Sequence, residues 1–230
     1  MPELTLYGAP TSTATSRVRL TLAEAGFTDY EFSIIDLKNG DHKKPEYLAH
    51  NPWGKAPVIV TNDGLTLYES RPICKYLAAR YNIPLLPAAE DINATALFEQ
   101  AQSIEALHFS ELATSVSIEM MIKPRFGGTT DRSVVEATRK KVGEFLDVAD
   151  SRILAGQEYM AGSSFSLVDI YYIPCVERLM ACGFEDLFMS RENVKAWWER
   201  CVARPAVRAF LDEEDLQGLR KQLRGRSECL

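Results

Sequence analysis

Apolar and polar positions along this chain change their spacing several times, and each change marks an element. Leu4 to Tyr7 reads as a short strand, and Thr13 to Ala25 as a helix closed by Gly26 at its C-terminal cap. Tyr30 to Ile35 alternates as a second strand, and a polar, lysine-rich loop from Asp36 to His50 follows it. Two alternating apolar runs then flank Asp63-Gly64, a dipeptide suited to the positive φ angles of a tight two-residue hairpin turn. The sheet is therefore antiparallel there. Ser70 occupies a helix N-cap position ahead of Ile73, Tyr76, Leu77 and Arg80 at helical spacing.

Ile83-Pro84-Leu85-Leu86-Pro87 interrupts the pattern, because two closely spaced prolines disfavour continued helix. This predicts a first domain over 1–82, a linker over 83–92 and a second domain over 93–230. In the second domain apolar positions recur with helical period from Ala94 to Met121, Arg132 to Ile153, Leu167 to Met180 and Val194 to Cys201. The fold class is thus an α/β domain followed by an all-helical one. The order strand, helix, strand, long excursion, strand, strand, helix resembles a thioredoxin-like domain. Ser166-Leu167-Val168-Asp169 fits a capping box, which assigns Asp169 a structural role. From about residue 212 an acidic run and then a basic run read as a solvated or frayed tail.

At 230 residues, 46% of them hydrophobic, the chain has ample material for buried cores. A formal charge of −6 argues against a nucleic-acid partner, which needs clustered Lys and Arg. No apolar run approaches the roughly 20 residues that span a bilayer, and the N-terminus lacks the basic start and apolar core of a secretory signal. A cytoplasmic protein without a membrane partner is expected. The five cysteines are irregularly spaced with no Cys-x-x-Cys pair, so buried, reduced thiols are expected. His42, His50 and His108 lack partners at metal-ligand spacing, so no metal site is expected.

Candidate chemistry lies in Gly8-Ala9-Pro10-Thr11-Ser12-Thr13-Ala14-Thr15-Ser16-Arg17, between the first strand and the first helix, where α/β folds commonly place ligands. One of these hydroxyls caps the helix, or one donates a hydrogen bond to an anion at the helix's positive end. Position alone does not choose among Thr11, Ser12, Thr13 and Thr15.

Over roughly residues 3 to 211 the chain resembles the glutathione transferases, and within them the phi class. The resemblance is carried by Gly8 to Thr15, Gly40-Asp41-His42-Lys43-Lys44, Asn51-Pro52-Trp53-Gly54-Lys55-Ala56-Pro57, Leu67-Tyr68-Glu69-Ser70-Arg71, Lys123-Pro124-Arg125-Phe126-Gly127 and Phe165 to Ile170. These segments occur in order and at family spacing.

The resemblance implies a glutathione site in the first domain, an electrophile pocket between the domains and a homodimer active in detoxification. It matches Ser12 to the catalytic serine that favours the thiolate form of glutathione. His42 and Lys43 match residues holding the glycine carboxylate, and Glu69 and Ser70 match those holding the γ-glutamyl end. Pro57 matches a cis-proline that turns the backbone of Ala56 toward the peptide. Lys55 departs from the usual glutamine, which bears on glutathione affinity. For the electrophile pocket the candidates are Thr11, His108, Leu112, Met120 and Met121. The implied activity is conjugation of glutathione to a small hydrophobic electrophile. The alternatives are a glutathione-dependent isomerase or reductase, or a non-catalytic protein binding hydrophobic ligands.

Overall fold

A computed structural model describes residues 2–227; Cys229 lies outside the described residues. The chain divides into two compact units, residues 1–86 and 87–230.

The first unit is built on a four-stranded sheet: β1 (Leu4–Gly8), β2 (Tyr30–Ile34), β3 (Val58–Thr61) and β4 (Thr66–Tyr68), in the order β2-β1-β3-β4. β1 pairs parallel with β2, with Leu4 opposite Tyr30, and antiparallel with β3, with Tyr7 opposite Val58. β3 pairs antiparallel with β4, with Val58 opposite Tyr68. Leu4 and Leu6 are buried on alternate positions of β1, as a half-covered strand requires. Helices α1 (Thr13–Glu24) and α3 (Ser70–Arg80) pack on each other and bury Val18, Leu22, Ile73 and Leu77 completely. Each such side chain adds about 1.5–3 kcal/mol of transfer free energy.

Three expectations for this unit are corrected. The hairpin loop has three residues: Thr61 N–H donates to Leu65 C=O at 2.9 Å and Gly64 N–H to Thr61 C=O at 3.0 Å. Gly64 alone takes a positive φ (87°), because the extra residue is absorbed as a bulge next to the turn. The residue capping α3 is Glu69, with Ser70 as the first helical residue. The polar loop also contains a 3₁₀ turn (Asp41–Lys43) and a short helix α2 (Pro45–Leu48), started by Pro45 and held by buried Tyr47.

The second unit is helical. One helical path runs from Ile92 to Arg125 through α4 (Ile92–Ile104), α5 (Ser110–Ser117) and α6 (Lys123–Arg125), with π-helical turns at Glu105–Phe109 and Ile118–Ile122. Then come α7 (Arg132–Val148), α8 (Leu167–Leu179), α9 (Glu185–Met189), α10 (Glu192–Ala203), α11 (Pro205–Leu211) and α12 (Glu214–Ser227). Every residue of α8 is buried, making it the axis of this unit. Phe109, Phe145, Tyr172 and Trp197 form an aromatic cluster beside it. The capping box on α8 is present as expected, with Ser166 and Asp169 bonding reciprocally. Cys74, Cys175, Cys182 and Cys201 are buried and outside any disulfide.

The expected frayed tail is instead the helix α12. It packs on the turn at Met180–Phe184, buries Leu223 and pairs Arg220 with the buried Glu177.

Candidate active site

The strand register gathers the first-unit candidates at one end of the sheet. Because Tyr7 faces Val58 and Val58 faces Tyr68, the end of β1, the start of β3 and the end of β4 lie side by side. The Ala9–Ser12 loop, the Ala56-Pro57 peptide and Glu69-Ser70 therefore converge. Two helices, α1 and α3, also begin there, and their unpaired N–H groups and dipoles favour negative charge.

Ser12 is the N-cap of α1, in extended conformation (φ −81°, ψ 124°), and its Oγ accepts the Thr15 N–H at 3.4 Å. No acceptor for its hydroxyl proton lies among the described residues, so that proton is available to a ligand. Of its rivals, Thr15 is completely buried, while Thr11 and Thr13 are half-buried.

Ala56-Pro57 is a cis peptide bond. The preceding carbonyl, that of Lys55, is clamped by Tyr47 Oη–H at 2.9 Å and by Asn51 Nδ2–H at 2.7 Å. Burial pushes the Tyr47 phenol up to about 12, so it remains a donor at neutral pH. The Lys55 side chain is exposed. Glu69 is exposed and held at φ 70°, in a region costly for any residue but glycine. Such strain, of about 1–3 kcal/mol, concentrates where function needs a fixed backbone. Ser70 is buried behind it.

Lys43 Nζ donates to the carbonyls of Trp53 (3.2 Å) and Gly54 (3.1 Å), which ties the Asp41–Lys43 turn to the segment leading into Ala56. Gly54 is required at this crossing: its φ is 55°, and a Cβ there would lie 2.6 Å from the His42 carbonyl oxygen. His42 Nδ1 is buried without a hydrogen-bond partner. Burial, and then the Lys43 charge, lower the His42 pKa, so the imidazole is neutral at pH 7.

The second-unit candidates differ in exposure. Met120 is buried in the core at 1% exposure, Leu112 and Met121 are half-buried, and His108 is exposed. The exposed large apolar side chains on this helical path are others, among them Leu107, Ile118 and Ile122. A groove of about 380 Å³ runs between Ala106 and Glu119 with Ile118 in its wall. Sequence reasoning also missed Tyr47 and Asn51; an Asn directly before Pro in the loop was the available signal. No group of three or more His, Cys, Asp or Glu is placed to hold a metal among the described residues.

The family model described as "Glutathione S-transferase, N-terminal domain" matches residues 2–79, and its C-terminal counterpart matches residues 109–205. Glutathione S-transferase F6 of Arabidopsis thaliana is 34% identical over 214 residues, which is 92% of this chain and 100% of that one. The chain belongs to the glutathione S-transferase family. Another relative, the transferase hmp2 of Hypomyces subiculosus, is 38% identical over 202 residues, 86% of this chain and 93% of its own. Among solved structures, glutathione transferase F7 of Populus trichocarpa superimposes with a TM-score of 0.85 at 33% identity, over 91% of this chain and 98% of that one. The mais glutathione S-transferase I, solved in complex with an atrazine glutathione conjugate, gives 0.82 at 33% identity, over 97% and 98%. The transferase has the expected architecture, a thioredoxin-like α/β unit followed by a helical unit, and is phi-class-like. Its activity is that of a glutathione transferase acting on an electrophile.

Proposed function

We propose that this transferase ionises glutathione at Ser12 and presents the thiolate to a small hydrophobic electrophile. The observation that carries the reading is the Ser12 hydroxyl, whose oxygen accepts from α1 and whose proton has no acceptor among the described residues. Moving a thiol pKa from about 8.5 to about 6.5 takes ~2.7 kcal/mol. A hydrogen bond to a charged sulfur contributes about 1.5–3 kcal/mol, and the helix dipole adds to it. Ser12 stays an alcohol throughout: it donates to sulfur while the thiol proton goes to water, and the thiolate attacks carbon, either expelling a leaving group with its bonding electrons or adding across a π bond that then takes up a proton.

The remaining residues bind. The cis peptide supports main-chain pairing of Ala56 with the cysteinyl part of glutathione. Glu69 takes the γ-glutamyl ammonium, and the start of α3 at Ser70 takes the adjoining carboxylate. The glycine carboxylate falls to His42, Lys43 and Lys55; Lys43 has spent only two of its three protons. For the electrophile, the exposed side chains Ile118 and Ile122 are better suited than buried Met120. Thr11 stands beside Ser12 as a further contact. A cytoplasmic homodimer completes the proposal. No described helix is long and apolar enough to cross a membrane.

The test compares wild type with Ser12→Ala in conjugation of a chlorinated nitroaromatic with glutathione. Turnover is expected to fall roughly tenfold to a hundredfold, as loss of one such hydrogen bond implies, with glutathione binding retained. Turnover equal to wild type removes Ser12 from the mechanism.

A further inference from the structure

Thr15 meets the loop that carries Ser12 at three points. It is completely buried, and its main-chain N–H donates to Ser12 Oγ at 3.4 Å. Its Oγ1 accepts the Ala9 N–H at 3.3 Å, in a bond closed off from solvent. Its γ-methyl lies against the bare Cα of Gly8, where a Cβ would stand 2.4 Å from Thr15 Cγ2 and 2.8 Å from Oγ1. Gly8 therefore serves here by leaving room for Thr15. Ser12 N–H closes the loop by donating to Ala9 C=O at 3.0 Å. The end of β1, the loop and the first turn of α1 are thus one joint, with Thr15 at its centre.

We propose that Thr15 is a positioning residue for the reaction: it fixes the loop so that Ser12 Oγ accepts from α1 and points its proton at the glutathione sulfur. This rests on the reading that Ser12 contacts the sulfur. A hydroxyl whose oxygen already accepts a hydrogen bond is polarised and donates more strongly. A donor held in place before the charge forms also needs no reorganisation when the thiol ionises. Thr15 has no surface of its own to offer a ligand, so its effect passes through residue 12.

The test uses Thr15→Val, which keeps the branched shape and the main-chain N–H but leaves the buried Ala9 N–H without its acceptor. Thr15→Ser, which keeps the hydroxyl, is the conservative partner. The readout is the pH dependence of the ultraviolet thiolate absorbance of enzyme-bound glutathione, measured with kcat and KM for conjugation. In Thr15→Val the inflection is expected to rise by about half to one pH unit, the size that losing one ordinary hydrogen bond produces. Its kcat falls while KM for glutathione stays near wild type, and Thr15→Ser keeps the wild-type inflection. Gly8→Ala strains the same joint from the strand side, so its inflection also rises; it carries the test if Thr15→Val does not fold. An inflection unmoved in both Thr15→Val and Gly8→Ala overturns the proposal, even where thermal stability falls, because that is a structural role alone. Ser12→Ala separates the two levels. If its inflection is also unmoved, the reading of Ser12 fails and takes this inference with it; if it moves while the other two do not, only the role of Thr15 fails.

Discussion

Asn51 fixes from behind the segment that leads into Ala56-Pro57. Its amide donates to the Lys55 carbonyl at 2.7 Å and its Oδ1 accepts the Trp53 N–H at 3.0 Å, at 1% exposure. Asn51→Ala leaves the Trp53 N–H and the Lys55 carbonyl short of a partner, a loss of about 1–3 kcal/mol. Because the segment it releases leads into Ala56-Pro57, KM for glutathione is expected to rise several-fold while kcat at saturation stays close to wild type. Steady-state kinetics checks this; a fall confined to kcat would show that Asn51 acts on the sulfur instead. Ser12, Pro57 and Glu69 stand out through the family resemblance of the short motifs that hold them, and the structure adds the helix cap at Ser12 and the cis bond at Pro57. The roles of Asn51, Tyr47 and Thr15 are not legible in the apolar pattern, since they are hydrogen bonds made across two to eight residues, which no period reports. The strained φ of Glu69 was hidden for the same reason: it is imposed by the β4-to-α3 junction and not by the residue's own preference.

Apolar spacing runs long in α7 and α8 and marks both helices in the sequence, whereas elsewhere packing overrides spacing. Helix α2 has only four residues, far too few to hold as a helix by itself, so it stands on Pro45 and buried Tyr47. Within the π turn at Ile118–Ile122, Met120 is buried while Ile122 is exposed. Beside that turn, buried Glu119 joins Lys123 at 2.5 Å and accepts the Asp131 N–H at 2.9 Å, fastening the start of α7 to the end of the α4–α6 path. The Lys123 hydrogen bond, and then the Asp131 N–H, hold the Glu119 carboxyl below its ordinary range. A folded pKa below the unfolded one makes the contribution complete above about 4.3, and it fades as pH falls through the lowered value. Glu119→Gln is therefore expected to melt below wild type at pH 7, with the gap closing on acidification. A gap that stays constant from neutral pH to below the ordinary carboxylate range would mean that the charge on Glu119 contributes nothing.

For the whole molecule, Asp169 is a buried carboxylate that gathers four donors in the second unit. Asp169 accepts the Ser166 N–H (2.9 Å) and hydroxyl (3.1 Å), the Met160 N–H (2.9 Å) and the Trp197 Nε1–H (2.9 Å), at 0% exposure. It thereby starts α8, anchors the loop leading into it and ties α10 across to it. Each donor left unpaired in a dry interior costs about 1–3 kcal/mol, so Asp169→Ala, which orphans three N–H groups, is expected to lose about 3–5 kcal/mol. That is a large share of the 5–15 kcal/mol that holds a typical domain. The first unit has its own core in Leu4, Leu6, Val18 and Ile73 and makes no use of Asp169, so the loss belongs to the second unit. Trp197 and Trp198 report on that unit, and denaturant titration by tryptophan fluorescence should place the Asp169→Ala midpoint well below wild type. Asp169→Asn, which keeps one acceptor oxygen but brings an amide donor among donors, should fall between them. A midpoint for Asp169→Ala at the wild-type value would mean that the capping box and the Trp197 bond are incidental to packing, and that α8 is held by its apolar burial alone.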